Sequence, residues 1–587
     1  MNKIILNGND LKRHQVIDIA YNHVRVSIDT GKINDSLNYI TRKVKEKKII
    51  YGVTTGFGSN ADKIIEEKDA IDLQINLLRS HACGVGNNFT EEIVRAIIVI
   101  RLNTLLKGNS GVQQSTLAQL AFLLNNDIHP VIPEQGSVGA SGDLCPLAHM
   151  SLPLIGEGEM VYNGKEYFTE EFLKTEEAKK IGFSKITLSY KEGLALLNGT
   201  AVMAAVGVIA LHKAERLLKV AMLSSALIFE SLGARKDSFA YEKIHELRNH
   251  QGQIEIAKGL TKLLAGSKLV NISQQEILAH LVNTNQIPDK IRETIREINA
   301  VQESDRQVQV PDTVIYEMKA GGNDPLASML TFAKKKWKLQ DAYSIRCLPQ
   351  VFGASKTAMD HVVSIVSNEL NAAVDNPLIF TEDDRIISGG NFHGQPLALV
   401  MDYLKLAVAE IGNITERQIN KLVDSSTNDG LPRFLANDTG LNSGLMIIQY
   451  AAASIVSENK VLVHPASADS IPTSENTEDH VSMGTIAARQ ALEIAENVEK
   501  VITYAILTGF YAVSLRLEQF RNVKMEYQPE KRLAKATYEF YKSLRETNKE
   551  FDLDNRFLRK DRFLKPEIKL LHANFDAFAA IADKYLS

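Results

Sequence analysis

Apolar residues fall at helical spacing over much of this chain. Ala487, Ala491, Ile494, Val498, Val501 and Ala505 are separated by alternating steps of four and three. At 100° per residue they form one stripe, which predicts a long helix with a buried face. Residues 445–463 (LMIIQYAAASIVSENKVLV) are apolar nearly all round, the pattern of a helix enclosed at the centre of a bundle. Leu194 to Leu211 carries no charge over 18 residues, near the lower limit for a membrane span. Asn198, Gly199 and Thr200 interrupt it, and His212, Lys213, Glu215 and Arg216 follow at once, so it reads as a buried bundle helix. The first ~190 residues differ: short helical patterns alternate with glycine-rich turns such as YGVTTGFG (51–58) and GVGNN (84–88).

The pattern changes again between 272 and 335. This stretch is polar, with prolines at 288, 311 and 325, a Gly321-Gly322-Asn323-Asp324 turn, and one short amphipathic helix predicted on Ile291, Ile295 and Ile298. It reads as an inserted surface excursion, with a lid or an added subunit contact as the functional alternatives. The patterns together predict a mainly α protein, with an N-terminal part over 1–198 and a long helical bundle over 199–587.

Composition narrows the function. With 67 Lys+Arg against 71 Asp+Glu the net charge is −4, which provides no electrostatic footprint for nucleic acid or an anionic membrane. Three cysteines (Cys83, Cys145, Cys347) in 587 residues suit a reducing compartment, and the N-terminal stretch has no signal-peptide core, so a cytoplasmic location is expected. Neither glycine turn fits a phosphate-binding fingerprint. HELRNH (245–250) spaces its histidines i, i+5, about 140° apart on a helix rather than on one face, so no metal is expected.

The most informative stretch is residues 136–149, GSVGASGDLCPLAH. Ala140-Ser141-Gly142 can bend back on itself, glycine supplying torsional freedom and an uncrowded nitrogen. Attack of the Gly142 nitrogen on the Ala140 carbonyl closes a five-membered ring. Loss of two waters, one carrying the Ser141 hydroxyl, leaves a conjugated exocyclic alkene. Such a group is an electrophile, which ordinary side chains do not provide.

This stretch resembles the signature of the aromatic amino acid ammonia-lyases, which carry the 4-methylidene-imidazol-5-one (MIO) group. Within that family the chain is most similar to the histidine-acting branch. The similarity extends from about 45 to 270 and from 336 to 515. It implies an L-aspartase/fumarase-like helical bundle with an N-terminal MIO-bearing part. It also implies autocatalytic MIO formation from Ala140, Ser141 and Gly142 with no external cofactor. The expected assembly is a homotetramer whose sites each draw residues from three subunits. The implied reaction takes L-histidine to trans-urocanate and ammonia. A tyrosine or phenylalanine lyase or an aminomutase is the alternative within the family, and an inactive helical assembly protein the alternative outside it.

The resemblance assigns roles residue by residue. Tyr51 in YGVTTGFG matches the base-bearing loop; Thr54 stands where Asn is more common. A phenol ordinarily ionises near pH 10, so its setting must make it a base. Arg346 in LQDAYSIRCLPQ (339–350) matches the carboxylate clamp, a guanidinium fork being suited to bidentate binding. Tyr343, three residues earlier and on the same helical face, takes a catalytic role and Gln340 a substrate-binding one. Asn198 adds amide contacts to substrate or to the MIO oxygen; Ala201 replaces a more usual Gln. Phe392 sits beside the MIO ring, and His393 follows the histidine-lyase form. Ser80-His81 and Glu478 set the substrate. An imidazole offers N–H donors to a carboxylate, whereas a bare phenyl ring would leave that buried charge unpaired.

Overall fold

Helix dominates the chain. The computed structural model describes residues 3–31, 33–284, 310–322, 324–336, 339–436, 440–547 and 560–587, with positions 289, 292, 293 and 296. The helices that bear on the site are, in chain order, α1 (Ala70–His81), α2 (Glu91–Leu105), α3 (Leu144–Ser151), α4 (Glu192–Leu197), α5 (Ala201–Leu232), α6 (Gln274–Asn283), α7 (Asp312–Ala320), α8 (Asp324–Lys335), α9 (Tyr343–Arg346), α10 (Leu348–Glu369), α11 (Gln395–Val423), α12 (Met446–Leu462) and α13 (Gly484–Asn522). Strands are short: β1 (Ile4–Leu6), β2 (Val26–Ile28), β3 (Val85–Asn88), β4 (Ile128–Pro130), β5 (Pro133–Gln135), β6 (Glu159–Tyr162), β7 (Lys165–Phe168), β8 (Leu378–Phe380) and β9 (Arg385–Ile387). β4, β6 and β7 form an antiparallel sheet in that order, with Ile128 opposite Tyr162, and β3 pairs antiparallel with β5.

Two compact units result, and neither is continuous in sequence. The first holds Met1–Lys213, Asp360–Lys405 and Val463–Glu493; the second holds Ala214–Met359, Leu406–Leu462 and Ile494–Ser587. This differs from the sequence reading of 1–198 and 199–587, because α5, α10, α11 and α13 each give residues to both units. In the first unit α2 is buried from Ile93 to Leu105, Arg95 and Arg101 included. Across α13, the six residues of the predicted stripe are each 1 % exposed or less. Its most apolar window is 83 % buried, which marks it as a core helix.

Three sequence readings need correction. Leu194–Leu211 is two helices: α4 ends at Leu197, Asn198 is extended (φ −85°, ψ 112°), and Gly199 takes φ +143° before α5 begins. Only glycine adopts that last conformation readily. The second correction is α12, which is not enclosed. Only Ile448, Ala452 and Asn459 are buried, while Ile447, Tyr450 and Val461 are exposed at 57, 59 and 76 %. Its apolar surface simply has no cover within the described residues of the chain.

The third is the 272–335 segment, which is no surface excursion where it is described. α6 buries Ile277, Leu278 and Leu281; α8 buries Leu326, Leu330, Phe332 and Ala333. The Phe332 ring lies 6.2 Å from that of Phe520, with the Arg516 guanidinium 3.7 Å over its face. The segment is polar on average, but its apolar residues recur at helical spacing and anchor it. The helix predicted on Ile291, Ile295 and Ile298 lies outside the described residues.

Candidate active site

The 136–143 loop is fixed from several sides. Gly142 adopts φ +78°, and a Cβ there would overlap the Gly199 carbonyl, so this position admits only glycine. The Asp143 N–H donates to that carbonyl at 2.8 Å. Asp143 is wholly buried, and its carboxylate accepts the first-turn amides of α5, Val202 N at 3.0 Å and Met203 N at 2.9 Å. It also accepts the hydroxyls of Ser137 at 3.2 Å and of Thr485. Burial pushes this carboxyl up and those donors pull it down. The Ser482 hydroxyl donates to Gly139 O at 3.0 Å, and Met483 N to Val138 O at 2.9 Å. Asn198 Nδ2 donates to Ser141 O at 2.8 Å. The alanine, serine and glycine are thus held in a glycine-only turn, with a donor on the serine carbonyl and the serine side chain facing outward. These residues fit the ring closure read from the sequence.

Glu478 faces that side chain. The Ser141 hydroxyl donates to Glu478 Oε1 at 2.8 Å, and the Thr473 hydroxyl to Oε2 at 2.6 Å. Between Thr473 and Glu478, Ser474, Glu475 and Asn476 all have positive φ (51°, 52° and 63°). Left-handed backbone costs a non-glycine residue roughly 1–2 kcal/mol, so the loop presenting Glu478 is strained, as loops at functional sites often are.

His81 closes α1. Its Nδ1 lies 3.0 Å from the Ser80 hydroxyl, which itself donates to Leu77 O at 3.3 Å. The Leu77 carbonyl acts on the imidazole as well. With the Ser80 hydroxyl donating to Leu77 O, the neutral tautomer protonated on Nδ1 suits this pair, and that tautomer carries its lone pair on Nε2. Burial pushes the imidazole below its usual pKa, opposed by the Leu77 carbonyl and the Glu478 charge.

Tyr51 lies in the 51–54 turn. Its hydroxyl oxygen accepts Gly58 N at 3.1 Å, and Phe57 meets its ring edge-on at 6.5 Å. Thr54 donates to Lys48 O and accepts Ile50 N, both at 2.8 Å, so it bonds to its own turn rather than to the phenol. Sequence reasoning missed Gln74, which is fully buried. Its amide donates to Gly52 O and accepts Leu194 N, both at 3.1 Å. It thereby ties the Tyr51 turn to the start of α4; a lone Gln within a helix carries no signal of such a role.

These residues line one cavity of about 920 Å³. Tyr51, Ser80, His81, Ala140 and Ser141 face it from the N-terminal segments, and Asn198, Phe392 and Glu478 from the later ones. His393 lines it too, stacked on His480 with ring centres 5.7 Å apart, nearly parallel at 3°. His480 is a second residue that the sequence did not single out.

Gln340, Tyr343 and Arg346 are not among the residues lining this cavity. They lie in the second unit, where α9 is a single turn. Arg346 Nε donates to Asp341 O at 3.0 Å, and the guanidinium sits 4.6 Å over the Tyr343 ring. Tyr343 is 70 % exposed and Gln340 is exposed. The expected shared face of Tyr343 and Arg346 is present.

Known proteins resemble this chain in sequence and fold. The family model for aromatic amino acid lyases matches residues 11–546. The histidine ammonia-lyase of Alkaliphilus metalliredigens is 42 % identical over 516 residues, 87 % of this chain and 88 % of that protein. The crystal structure of histidine ammonia-lyase from Trypanosoma cruzi superposes with a TM-score of 0.78 at 31 % identity, covering 100 % of this chain and 96 % of that one. Tyrosine aminomutase from Streptomyces globisporus superposes as well, with a TM-score of 0.81 at 31 % identity over 100 % and 99 % of the two chains. The fold is therefore shared across substrates, and the side chains must distinguish them. The chain belongs to the aromatic amino acid lyase family.

Proposed function

We propose that this protein is an ammonia-lyase that converts L-histidine to trans-urocanate and ammonia in the cytoplasm, its three free thiols suiting a reducing compartment. The observation that carries the substrate assignment is the pairing of His81 and Glu478 on one cavity beside Ser141. The MIO group formed from Ala140, Ser141 and Gly142 supplies an electron-poor alkene for the substrate amine.

The other roles belong to this chain's side chains. Asn198 Nδ2 donates to the Ser141 carbonyl oxygen and withdraws electron density from the segment it holds. The Tyr51 oxygen takes the substrate β-proton. Arg346 binds the substrate carboxylate through its guanidinium fork. Glu478 accepts an imidazole N–H, and the His81 Nε2 lone pair takes the other donor of a protonated ring. A bare phenyl ring would strand the Glu478 carboxylate.

The proposal includes a homotetramer whose sites draw on more than one copy. Two observations support it. Leu399, Tyr403 and Leu406 are exposed at 56, 43 and 50 % along one stripe of α11, and α12 carries its own exposed apolar residues. Such stripes are what subunit contacts cover.

The test is a substrate panel of histidine, tyrosine and phenylalanine, read by near-UV absorbance of the conjugated product. Histidine should be turned over well above the others. Glu478→Gln should lower kcat/KM for histidine about 10- to 100-fold, the worth of a charged hydrogen bond of roughly 1.5–3 kcal/mol. Turnover of tyrosine above histidine would overturn the assignment.

A further inference from the structure

Beneath the tripeptide lies a buried cation that the reaction just described does not use. Arg101 on α2 is among the largest fully buried side chains of the protein. Its Nη2 donates to Ala195 O on α4. Its Nε and Nη1 have no hydrogen-bond partner among the described residues. Nη1 occupies the space a side chain on Gly199 would need: a Cβ there would lie 2.5 Å from it and 2.9 Å from Val374 O. The guanidinium therefore holds the Ala195 carbonyl, three residues before Asn198, and fills the space where a side chain on Gly199 would lie.

That turn is what holds the second half of the tripeptide. Asn198 fixes the Ser141 carbonyl, and the Gly199 carbonyl fixes Asp143 N and so the peptide after Gly142. Thr200 is anchored in turn by its hydroxyl on Glu369. Burial lowers the Arg101 pKa to about 10, opposed by the charges of Asp375 and Asp143, so the group stays protonated at neutral pH. Asp375 is itself paired with the buried Lys191 at 2.7 Å. An apolar side chain of the same length would fill this space without the cost of burying a charge. What the guanidinium adds is a donor on Ala195 and a rigid backing for Gly199.

We propose that Arg101 is a positioning residue for ring closure: through Ala195 and Gly199 it sets the turn against which Ala140-Ser141-Gly142 cyclises, and so controls maturation rather than turnover. This rests on the proposed reading of the tripeptide as the MIO precursor. In the step it assists, the Gly142 nitrogen bonds to the Ala140 carbonyl carbon. The carbonyl oxygen leaves as water with the N–H protons of Gly142 and Ser141. The Ser141 hydroxyl leaves as a second water with the Ser141 α-proton. No oxidant or co-reactant is needed.

The experiment follows intact mass with time after a pulse of expression, for the full chain and for Arg101→Met and Arg101→Lys. Circular dichroism and oligomer size are measured in parallel, and kcat is expressed per matured subunit. The parent should lose the mass of two waters. Arg101→Met should fold yet mature at least tenfold more slowly, with kcat per matured subunit within twofold of the parent. Arg101→Lys should fall between, since an ammonium reaches Ala195 but leaves Gly199 unbacked. A folded Arg101→Met that matures at the parental rate overturns the proposal. So does normal maturation with reduced kcat per matured subunit. If Arg101→Met does not fold, Arg101→Lys decides, and parental maturation in it is the overturning result. A parent that keeps both waters would remove the functional reading itself, and this inference with it.

Discussion

Glu478 commits both carboxylate oxygens within its own chain, Oε1 to Ser141 and Oε2 to Thr473. In the proposed ring closure the Ser141 hydroxyl leaves, and with it the donor on Oε1. Glu478 lines the cavity, so under the proposed function its imidazole acceptor is a product of maturation. His81 completes that acceptor only while Nε2 keeps its lone pair. Burial lowers its pKa below the ordinary 6.5, so the neutral ring persists at neutral pH and is lost as pH falls through the lowered value. For stability the sign is the same: the unfolded imidazole binds a proton more readily, so protonation below pH 6.5 favours unfolding. The expected outcome is an acid limb in log kcat/KM for histidine with its midpoint below 6.5, absent from the profile of His81→Asn. An acid limb of unchanged midpoint in that variant would assign the titration to another group. At this scale the sequence was informative where a motif names its residue, as with Ser80, His81 and Glu478. Gln74 and Thr473 act through hydrogen bonds to neighbours that only folding creates, and no spacing announces them.

The loop from Thr473 to Glu478 shows how an element turns strain into placement. Thr473 and Glu478 pair across it, each amide donating to the other's carbonyl, at 3.0 and 3.3 Å. The Thr473 hydroxyl adds a third link at 2.6 Å, against three left-handed residues that would relax if released. Thr473→Val keeps shape but removes that link and leaves Oε2 without its donor. It should lower kcat/KM for histidine about 10-fold or more, the effect of a charged hydrogen bond, while intact mass still shows two waters lost. Loss of ring formation instead would mean the loop serves maturation. Helices were read from the chain with mixed success for a physical reason. A stripe such as Ala487 to Ala505 says which face is apolar, and α13 buries it. Apolar character all round α12 says nothing of what covers it. Average polarity over 272–335 hid the helical spacing by which α8 enters the core.

At the scale of the whole molecule, the residues proposed as the carboxylate clamp are absent from the cavity lining. The cavity gathers Tyr51, His81, Ser141, Asn198 and Glu478, while Gln340, Tyr343 and Arg346 do not line it. An exposed tyrosine stacked under an arginine on a single helical turn has the form of a group offered outward, and the uncovered stripes of α11 and α12 offer apolar surface for another copy. If Arg346 of one subunit serves the cavity of another, two dead proteins should repair each other. Ser141→Ala lacks the electrophile but keeps the clamp; Arg346→Ala keeps the electrophile but lacks the clamp. Each alone should release no ammonia, and Arg346→Ala should still show the mass of the closed ring. Co-expressed in equal amounts, they should recover about a quarter of parental activity, because random mixing in a closed oligomer joins an intact ring to an intact clamp at that share of sites. Ammonia release and product absorbance on the purified mixture read the result directly. A mixed oligomer as inactive as its components would place ring and clamp within one chain and end the shared-site proposal.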